Sequence, residues 1–135
     1  MNLNKRSYYY DFNEFSELLN EDTVIYITAK NEKELKKKQQ IIKEFCNQKK
    51  INPKKIYLDV TNNSNLMNKP NLQKLLADEE NLDIITFSTS DIYRYATDDY
   101  YDIKRFLRES NLGIYDLNYE SFSIERQPLL YWLGN

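Results

Sequence analysis

The sequence predicts an α/β fold: a single three-layer domain built around a mostly parallel sheet of four to five strands. Short apolar runs rich in β-branched residues alternate with amphipathic segments of helical length, a pattern typical of right-handed crossovers between parallel strands. The chain has 135 residues, which suits one domain with a core of its own. Its residues are 41% apolar and 30% charged, as in soluble globular proteins.

The first half of the chain is predicted to contain two helices and two strands. Residues 11–19, DFNEFSELL, space their apolar side chains as a helix does, so residues 1–22 are interpreted as a helical extension. The apolar, β-branched run TVIYIT, residues 23–28, indicates a buried strand. A helix with one apolar face follows over residues 32–49, and KIYLDV, residues 55–60, is the second strand.

The second half repeats the alternation. The polar residues 61–68 form a loop, after which Lys69-Pro70 opens a helix with proline in its first turn. A third strand covers residues 82–88. The next helix spans residues 97–110.

The cap of that helix is predicted to be Thr97 or Asp98, because threonine and aspartate favour helix starts. The fourth strand is LGIYDLN, residues 112–118. The predicted core therefore spans residues 23–117, and residues 118–135 form an apolar tail. Its cluster Leu129, Leu130, Tyr131, Trp132 and Leu133 either packs back on the sheet or meets a partner.

Composition excludes several classes of enzyme. The chain has no histidine, which removes Ser-His-Asp and Cys-His catalysis and most zinc sites. Its two glycines, Gly113 and Gly134, cannot build a dinucleotide fingerprint or a Walker loop. We therefore expect no cofactor, no nucleotide and no metal. The single cysteine, Cys46, is interpreted as a buried filler.

The sequence also indicates where the protein resides. No apolar run approaches the ~18 residues that a membrane-spanning helix needs. The start of the chain, MNLNKRSYYYDF, lacks the apolar centre of a signal peptide. A cytoplasmic protein without a membrane partner is expected.

Charge is segregated along the chain. Residues 30–55 contain ten lysines and three glutamates, a net charge of +7, so the remainder carries −9 of the total of −2. A basic block can mark a face that binds DNA, with Lys36, Lys37 and Lys38 as its candidates. A helix solvated by lysines is the alternative interpretation.

Polar loops follow the first three strands, and several short motifs lie in and around them. Tyr26-Ile27-Thr28-Ala29-Lys30 ends the first strand, and Gln39 follows in the first helix. The second strand ends in Asp59, and Lys69-Pro70-Asn71-Leu72 opens the second helix. The third strand leads into Ser90-Asp91-Ile92-Tyr93-Arg94-Tyr95. Ligand sites in α/β sheets lie on such loops, here residues 28–32, 59–68 and 88–95.

In this order and spacing the motifs resemble those of the catalytic domain of serine recombinases, the resolvase/invertase family. That family has Tyr-x-Arg-Val-Ser at its first strand, a glutamine in the first helix, a strand ending in aspartate and a mobile loop. Arg-Pro-x-Leu and Asp-Arg-Leu-x-Arg follow. The resemblance covers residues 23–117 and implies a resolvase-like fold, DNA recombination on a phage or mobile element, and homo-oligomers such as dimers.

The departures from the family pattern fall on its chemistry. The serine that attacks phosphate is matched by Lys30, and the arginine two residues before it by Thr28. Lys69 stands for the arginine before proline. Asp-Arg-Leu-x-Arg fits in two registers, one keeping Asp91 and the other Arg94, and either register loses at least one arginine.

These losses predict a pseudoenzyme, because phosphoryl transfer needs a positioned nucleophile and bidentate cations. No catalytic residue is assigned. A degenerate site that could still hold phosphate comprises Tyr26, Thr28, Lys30, Gln39, Lys69, Asp91 and Arg94. The alternative is that its lysines and arginine are only solvated surface residues.

The first functional hypothesis is a catalytically inactive recombinase-like protein that associates with copies of itself, a true recombinase, another protein or DNA. Such a protein would regulate recombination on a phage or mobile element. The second is a DNA-processing enzyme with altered chemistry, using the hydroxyl of Thr28 or Ser90. The third is a simple nucleic-acid binder that uses the basic residues 30–55.

Overall fold

The structure is a computed structural model, and it describes residues 8–11, 22–95, 97–118 and 121–124. These residues contain one six-stranded sheet. Its strands in chain order are β1 (Tyr8–Asp11), β2 (Thr23–Ala29), β3 (Lys55–Val60), β4 (Asp83–Thr86), β5 (Gly113–Asp116) and β6 (Ser121–Ile124). The same residues form three α-helices: α1 (Glu32–Lys49), α2 (Pro70–Asp78) and α3 (Tyr100–Glu109).

Four of the strands form a parallel sheet, as predicted. The spatial order is β1-β6-β5-β4-β2-β3, and the neighbours among β2 to β5 pair in parallel. β6 pairs antiparallel with both β5 and β1, so it extends the sheet beyond the predicted four to five strands. The fold class is confirmed, and the antiparallel pair is an addition that the sequence pattern did not reveal.

The helices cover the two faces of the sheet, which makes the three predicted layers. Ile25 and Ile27 of β2 point to one face and pack with Leu35, Ile42 and Cys46 of α1. The other face of the sheet packs against α2 and α3 in a second apolar cluster, whose largest members include Tyr26, Leu72, Leu75, Ile84, Ile103 and Leu107. Side chains alternate along a strand, so β2 contributes to both layers.

Three sequence predictions concern the ends of elements. Pro70 begins α2, as predicted. α3 begins at Tyr100 with Asp99 as its cap residue, so the prediction of Thr97 or Asp98 as the cap was wrong. The hydroxyl of Thr97 donates instead to the Arg94 carbonyl oxygen at 2.7 Å, and the Asp99 carboxylate accepts the Leu66 N–H at 2.6 Å. The side chains of Thr97 and Asp99 are thus engaged outside the helix, and no side chain caps its first turn.

The predicted extension and tail are described only in part. Tyr8–Asp11, within the extension interpreted as helical, is a β-strand, and the helical prediction for residues 12–19 lies outside the described residues. Ser121–Ile124, within the predicted tail, is a strand as well. The apolar cluster at residues 129–133 also lies outside the described residues, so its packing on the sheet or against a partner stays a prediction.

The single cysteine has the predicted structural role. Cys46 is buried and unpaired on the apolar face of α1, and burial raises the pKa of its thiol to about 11. A thiol that resists ionisation is a poor nucleophile. None of the described helices is both long enough and apolar enough to cross a membrane.

A polar network closes the C-terminal end of α2. The Tyr57 hydroxyl donates to Glu79 at 2.6 Å, and Lys54 forms an ion pair with the same carboxylate at 3.0 Å. Burial opposes ionisation of Glu79, but the hydrogen bonds from Tyr57 and Lys54 and the nearby lysine charges outweigh it. The pKa of Glu79 therefore lies below its ordinary value.

Glu79→Gln is expected to flatten the acid side of the stability profile. Because the pKa of Glu79 is depressed in the folded state, the unfolded chain binds more protons around and below the ordinary value of about 4.3. The stabilisation is complete above that value and is lost as the pH falls through the folded pKa. Urea unfolding at a series of pH values measures the effect. The exposed neighbour Glu80 supplies the control Glu80→Gln, and parallel acid limbs for both variants would contradict the assignment.

Candidate functional site

The candidate site lies where the direction of the chain connections reverses. From β2 the chain crosses through α1 to β3 on one side, and from β4 it crosses through α3 to β5 on the other. The loops after β2 and β4 therefore diverge and leave a crevice at the carboxyl ends of these neighbouring strands. Such switch points are the usual ligand sites of open α/β sheets.

A polar cleft with a volume of about 150 Å³ occupies this position. It is formed by the three loops that the sequence predicted, after β2, β3 and β4. Its lining residues are Thr28, Ala29, Lys30, Glu34, Lys38, Thr61, Asn62, Asn63, Ser64, Lys69, Ser90, Asp91 and Arg94. Four cationic side chains and two carboxylates thus line one cleft.

Lys69 is the most deeply placed cation of the cleft. It is only 2% exposed, and its Nζ donates to the Asp91 carbonyl oxygen at 2.7 Å. Burial, and to a lesser degree the charge of Arg94, lower the pKa of Lys69, while the nearby carboxylates of Asp91, Asp99 and Asp59 oppose that shift. The ammonium group has three donors, so it can donate a further hydrogen bond to an acceptor on a ligand.

Asp91 shares the cleft with these cations. Burial raises the pKa of its carboxyl, and the charges of Lys38, Lys69 and Arg94 oppose the shift. Four cationic side chains line the cleft against the two carboxylates of Asp91 and Glu34, so the lining carries a net positive charge. The cleft is therefore biased toward positive potential.

The start of α1 shapes the opposite wall. Asn31 caps the helix by accepting the Glu34 N–H at 2.8 Å, and the Glu34 carboxylate accepts the Lys30 N–H at 3.3 Å. Lys38 pairs with Glu34 at 3.3 Å and donates to the Thr28 carbonyl oxygen at 2.9 Å. Its charge is thus held by the protein, whereas the exposed side chain of Lys30 projects into the cleft.

Asp59 supports the floor of the site. Its carboxylate accepts the backbone N–H groups of Asn71 at 3.0 Å and Leu72 at 2.9 Å, which are unsatisfied donors at the start of α2. The same carboxylate accepts the Tyr26 hydroxyl at 2.8 Å. Burial and the Asp59 charge raise the pKa of Tyr26, so its phenol stays protonated as a donor. This network fixes the position of Lys69, which directly precedes α2.

Asp116 supports the loop after β4 in a similar way. Its carboxylate accepts both the N–H of Thr89, at 2.8 Å, and the hydroxyl of Thr89, at 3.0 Å. The Ser88 and Ser90 hydroxyl oxygens lie 2.8 Å apart within hydrogen-bond distance. Asp59 and Asp116 thus act as buried anchors at the carboxyl ends of β3 and β5.

The structure brings together most of the predicted site residues. Thr28, Lys30, Lys69, Asp91 and Arg94 all line the cleft.

Two other predicted members lie elsewhere. Tyr26 is buried in the core, where its hydroxyl supports Asp59. Gln39 lines a different, apolar groove beside Ile42 and Ile56, because its position on α1 turns it toward the edge strand β3.

The predicted DNA face of α1 is divided in the structure. Lys36 and Lys37 are exposed, whereas Lys38 is half-buried and lines the cleft. Successive residues of a helix point about 100° apart, so three consecutive lysines cannot share one face. Sequence reasoning missed the role of Glu34, and it placed residues 61–64 in a ligand-site loop without naming any of them as site residues. The capping pattern Asn31-x-x-Glu34 was the available signal for Glu34.

The arrangement is suited to holding an anion rather than to activating a hydroxyl. Thr28, Thr61, Ser64 and Ser90 line the cleft, yet in the described part of the chain no carboxylate accepts a hydrogen bond from any of them. Arg94 is the one guanidinium in the lining. The described residues also contain no group of three acidic, cysteine or histidine side chains that could hold a metal ion.

No protein-family model matches the chain, and no curated protein matches it either. Among solved structures it is similar to the crystal structure of the C-terminal catalytic domain of ISC1926 TnpA, an IS607-like serine recombinase. The two are 14% identical, the match covers 71% of this chain and 68% of that chain, and the TM-score is 0.57. This likeness confirms the fold that the order of the motifs predicted.

Proposed function

We propose that this chain, which has the fold of a serine recombinase catalytic domain, binds the phosphates of nucleic acid in its polar cleft without cleaving the strand. One observation carries the proposal. Lys30, Lys69 and Arg94 come from three different loops and meet at one cleft, and within the described residues none of the three pairs with a carboxylate. Cations that no carboxylate pairs with are available to an anionic ligand.

Burial gives one of these charges, that of Lys69, more effect than a surface lysine has. Interactions between charges strengthen where water is excluded, and Lys69 is almost fully buried. Lysines scattered over α1, such as Lys36 and Lys37, remain solvated and screened by salt. The cleft therefore binds a phosphate at a defined place, whereas the helix surface contributes only diffuse attraction.

The lack of cleavage follows from the groups that surround the hydroxyls. A nucleophile needs a base to accept its proton, and transfer of phosphorus needs several bidentate donors around the developing charge. The Glu34 carboxylate is occupied by the N–H of Lys30 and by Lys38, which together hold its pKa below the ordinary value. Three of the four cations are lysines, which cannot donate in the bidentate manner of arginine.

Burial of Ile92 favours one of the two registers of the recombinase motif. Ile92 is 1% exposed within the core cluster of α2 and α3, while Tyr93 is only partly buried. The register that keeps Arg94 assigns the leucine of the motif to Ile92. In that register Ser90 replaces the aspartate, and Arg94, which matches the last arginine of the motif, lines the cleft.

The test removes two cleft cations and compares the effect with matched surface changes. Lys30→Gln with Arg94→Gln is expected to weaken binding of fluorescently labelled DNA. It should also reduce the slope of log affinity against log salt by about 2, since each phosphate contact contributes about 0.9. The control is Lys37→Gln with Arg108→Gln, which removes the same charges from exposed positions on α1 and α3. Anisotropy titrations at several salt concentrations measure both quantities.

The outcomes separate the three functions. Equal losses for the cleft variant and its control would replace the proposal with diffuse binding by the basic residues 30–55. A protein–DNA adduct on a denaturing gel that disappears in Ser90→Ala or Thr28→Ala would overturn the claim of inactivity and establish altered chemistry. Self-association stays a prediction of the resemblance.

A further inference from the structure

Four tyrosines form a cluster beside the cleft, on the loop after β4 and the first turn of α3. Tyr100 is at its centre. The ring of Tyr93 lies 5.4 Å from that of Tyr100, the ring of Tyr95 lies 5.2 Å away and that of Tyr101 5.0 Å, measured between centroids. Lys104 places its Nζ 5.4 Å from the centroid of the same ring.

The outer members of this cluster present aromatic surface to solvent. Tyr95 is 77% exposed and Tyr101 is 71% exposed, although each contacts Tyr100. Their planes meet that of Tyr100 at 68° and 81°, so the contacts are edge to face. This geometry leaves ring faces of Tyr95 and Tyr101 unstacked, which is the surface that a planar ligand uses.

The cluster is held in place by the same contacts that build the cleft. Tyr93 packs against the core, and Lys69 binds the Asp91 carbonyl oxygen two residues before it. At the other end, the Asp99 carboxylate accepts the Leu66 N–H at 2.6 Å. The tyrosine cluster and the cleft are therefore held in place by the same loops.

Charge and aromatic rings are neighbours in the chain at this edge of the cleft. Arg94, which lines the cleft, lies between Tyr93 and Tyr95 in the chain. Consecutive Cα atoms are only about 3.8 Å apart, so a ligand whose phosphate contacts Arg94 has its next chemical group within reach of Tyr95. Alternation of phosphates with planar bases is the defining chemistry of a nucleic-acid strand.

We propose that the protein binds single-stranded nucleic acid, with phosphate in the cleft and unpaired bases stacked on Tyr95 and Tyr101. This proposal rests on the phosphate-binding function of the cleft and adds the substrate class. In a duplex the faces of the bases already stack on their neighbours, so only single strands offer them to a tyrosine. A protein partner would use the apolar area of the rings but would not need the phosphate site beside them.

The experiment compares three labelled probes of equal length: a single strand of deoxythymidine, an abasic single strand and a duplex. The wild-type protein is expected to bind the thymidine strand most tightly. Tyr95→Leu combined with Tyr101→Leu should weaken that binding by about fivefold or more, because leucine keeps apolar area but cannot stack. The affinity for the abasic strand should stay unchanged. Phe106→Leu changes another exposed aromatic of α3 and serves as the control.

The results distinguish failure of this proposal from failure of the cleft. If all three probes bind equally and the tyrosine variant matches the wild type, the tyrosine cluster does not bind bases. Loss of binding in the Lys30 and Arg94 variant would in that case still support the phosphate site. If that cleft variant binds every probe as the wild type does, both proposals are overturned. Both tyrosines are exposed, and circular dichroism confirms that the variants fold.

Discussion

Asp59→Ala is expected to lower the free energy of unfolding by about 3–4 kcal/mol, the largest effect on stability that the described contacts predict. The substitution removes the acceptor of two backbone N–H groups at the start of α2 and leaves the buried hydroxyl of Tyr26 without its partner. A lost helix cap contributes about 1 kcal/mol and each buried unsatisfied group about 1–3 kcal/mol. The midpoint temperature of thermal unfolding should fall by on the order of 10 °C.

A graded series checks the physical reason for this loss. Asp59→Asn keeps one acceptor oxygen and is expected to lose about half as much stability. Asp78→Ala changes an exposed carboxylate at the other end of the same helix and should have little effect. Equal denaturant midpoints for Asp59→Ala and Asp78→Ala would show that the network does not stabilise the fold.

Lys69→Met is expected to have the largest effect on binding with little effect on stability. A hydrogen bond to a charged group contributes about 1.5–3 kcal/mol, so affinity for DNA should fall by about ten- to a hundredfold. Burial lowers the pKa of Lys69, which means that the charged form of this side chain is less favourable in the folded protein than in water. Methionine has a similar length and no charge. The substitution therefore removes the cost of burying a charge, while it loses the hydrogen bond to the Asp91 carbonyl oxygen.

Two comparisons make this result specific. Lys74→Met removes an exposed lysine from α2 and should leave affinity unchanged. Lys69→Arg keeps the charge, and it should retain binding if the cleft holds phosphate. Anisotropy titration and thermal unfolding of the same samples measure both quantities. Unchanged affinity in Lys69→Met would mean that Lys69 serves only to fasten the loop at Asp91.

Much of the fold could be predicted because its signals are local. The apolar runs of β2 to β5 and the amphipathic pattern of α1 each require only neighbouring residues to be recognised, and their alternation indicates a parallel sheet. The antiparallel strands β1 and β6 are no shorter than β4 and β5, but they lie outside the predicted alternation of strands and crossover helices. β1 and β6 pair across most of the chain, and such a pairing leaves no local signal in the sequence.

The sequence predicted which loops form the candidate site, but it did not predict which way the side chains on those loops and on α1 point. Loops after parallel strands meet at one edge of a sheet, so Lys30, Lys69 and Arg94 were expected near one another. The separation of Lys38 from Lys36 and Lys37 depends on how α1 is rotated against the sheet. The same rotation moved Gln39 to the apolar groove. The tyrosine cluster depends on the fold of the loop after β4, which brings both Tyr95 and Tyr101 against the ring of Tyr100.

The sequence by itself determined the layered α/β architecture, the absence of histidine chemistry from this chain and the order of the polar loops. The tertiary structure decided which charges share the cleft, which are neutralised by partners and which rings remain open to a ligand. The physical reason is the range of the interactions. Secondary structure follows from hydrogen bonds and side-chain spacing over a few residues, whereas a site depends on strand order, helix rotation and burial that only the packed chain establishes.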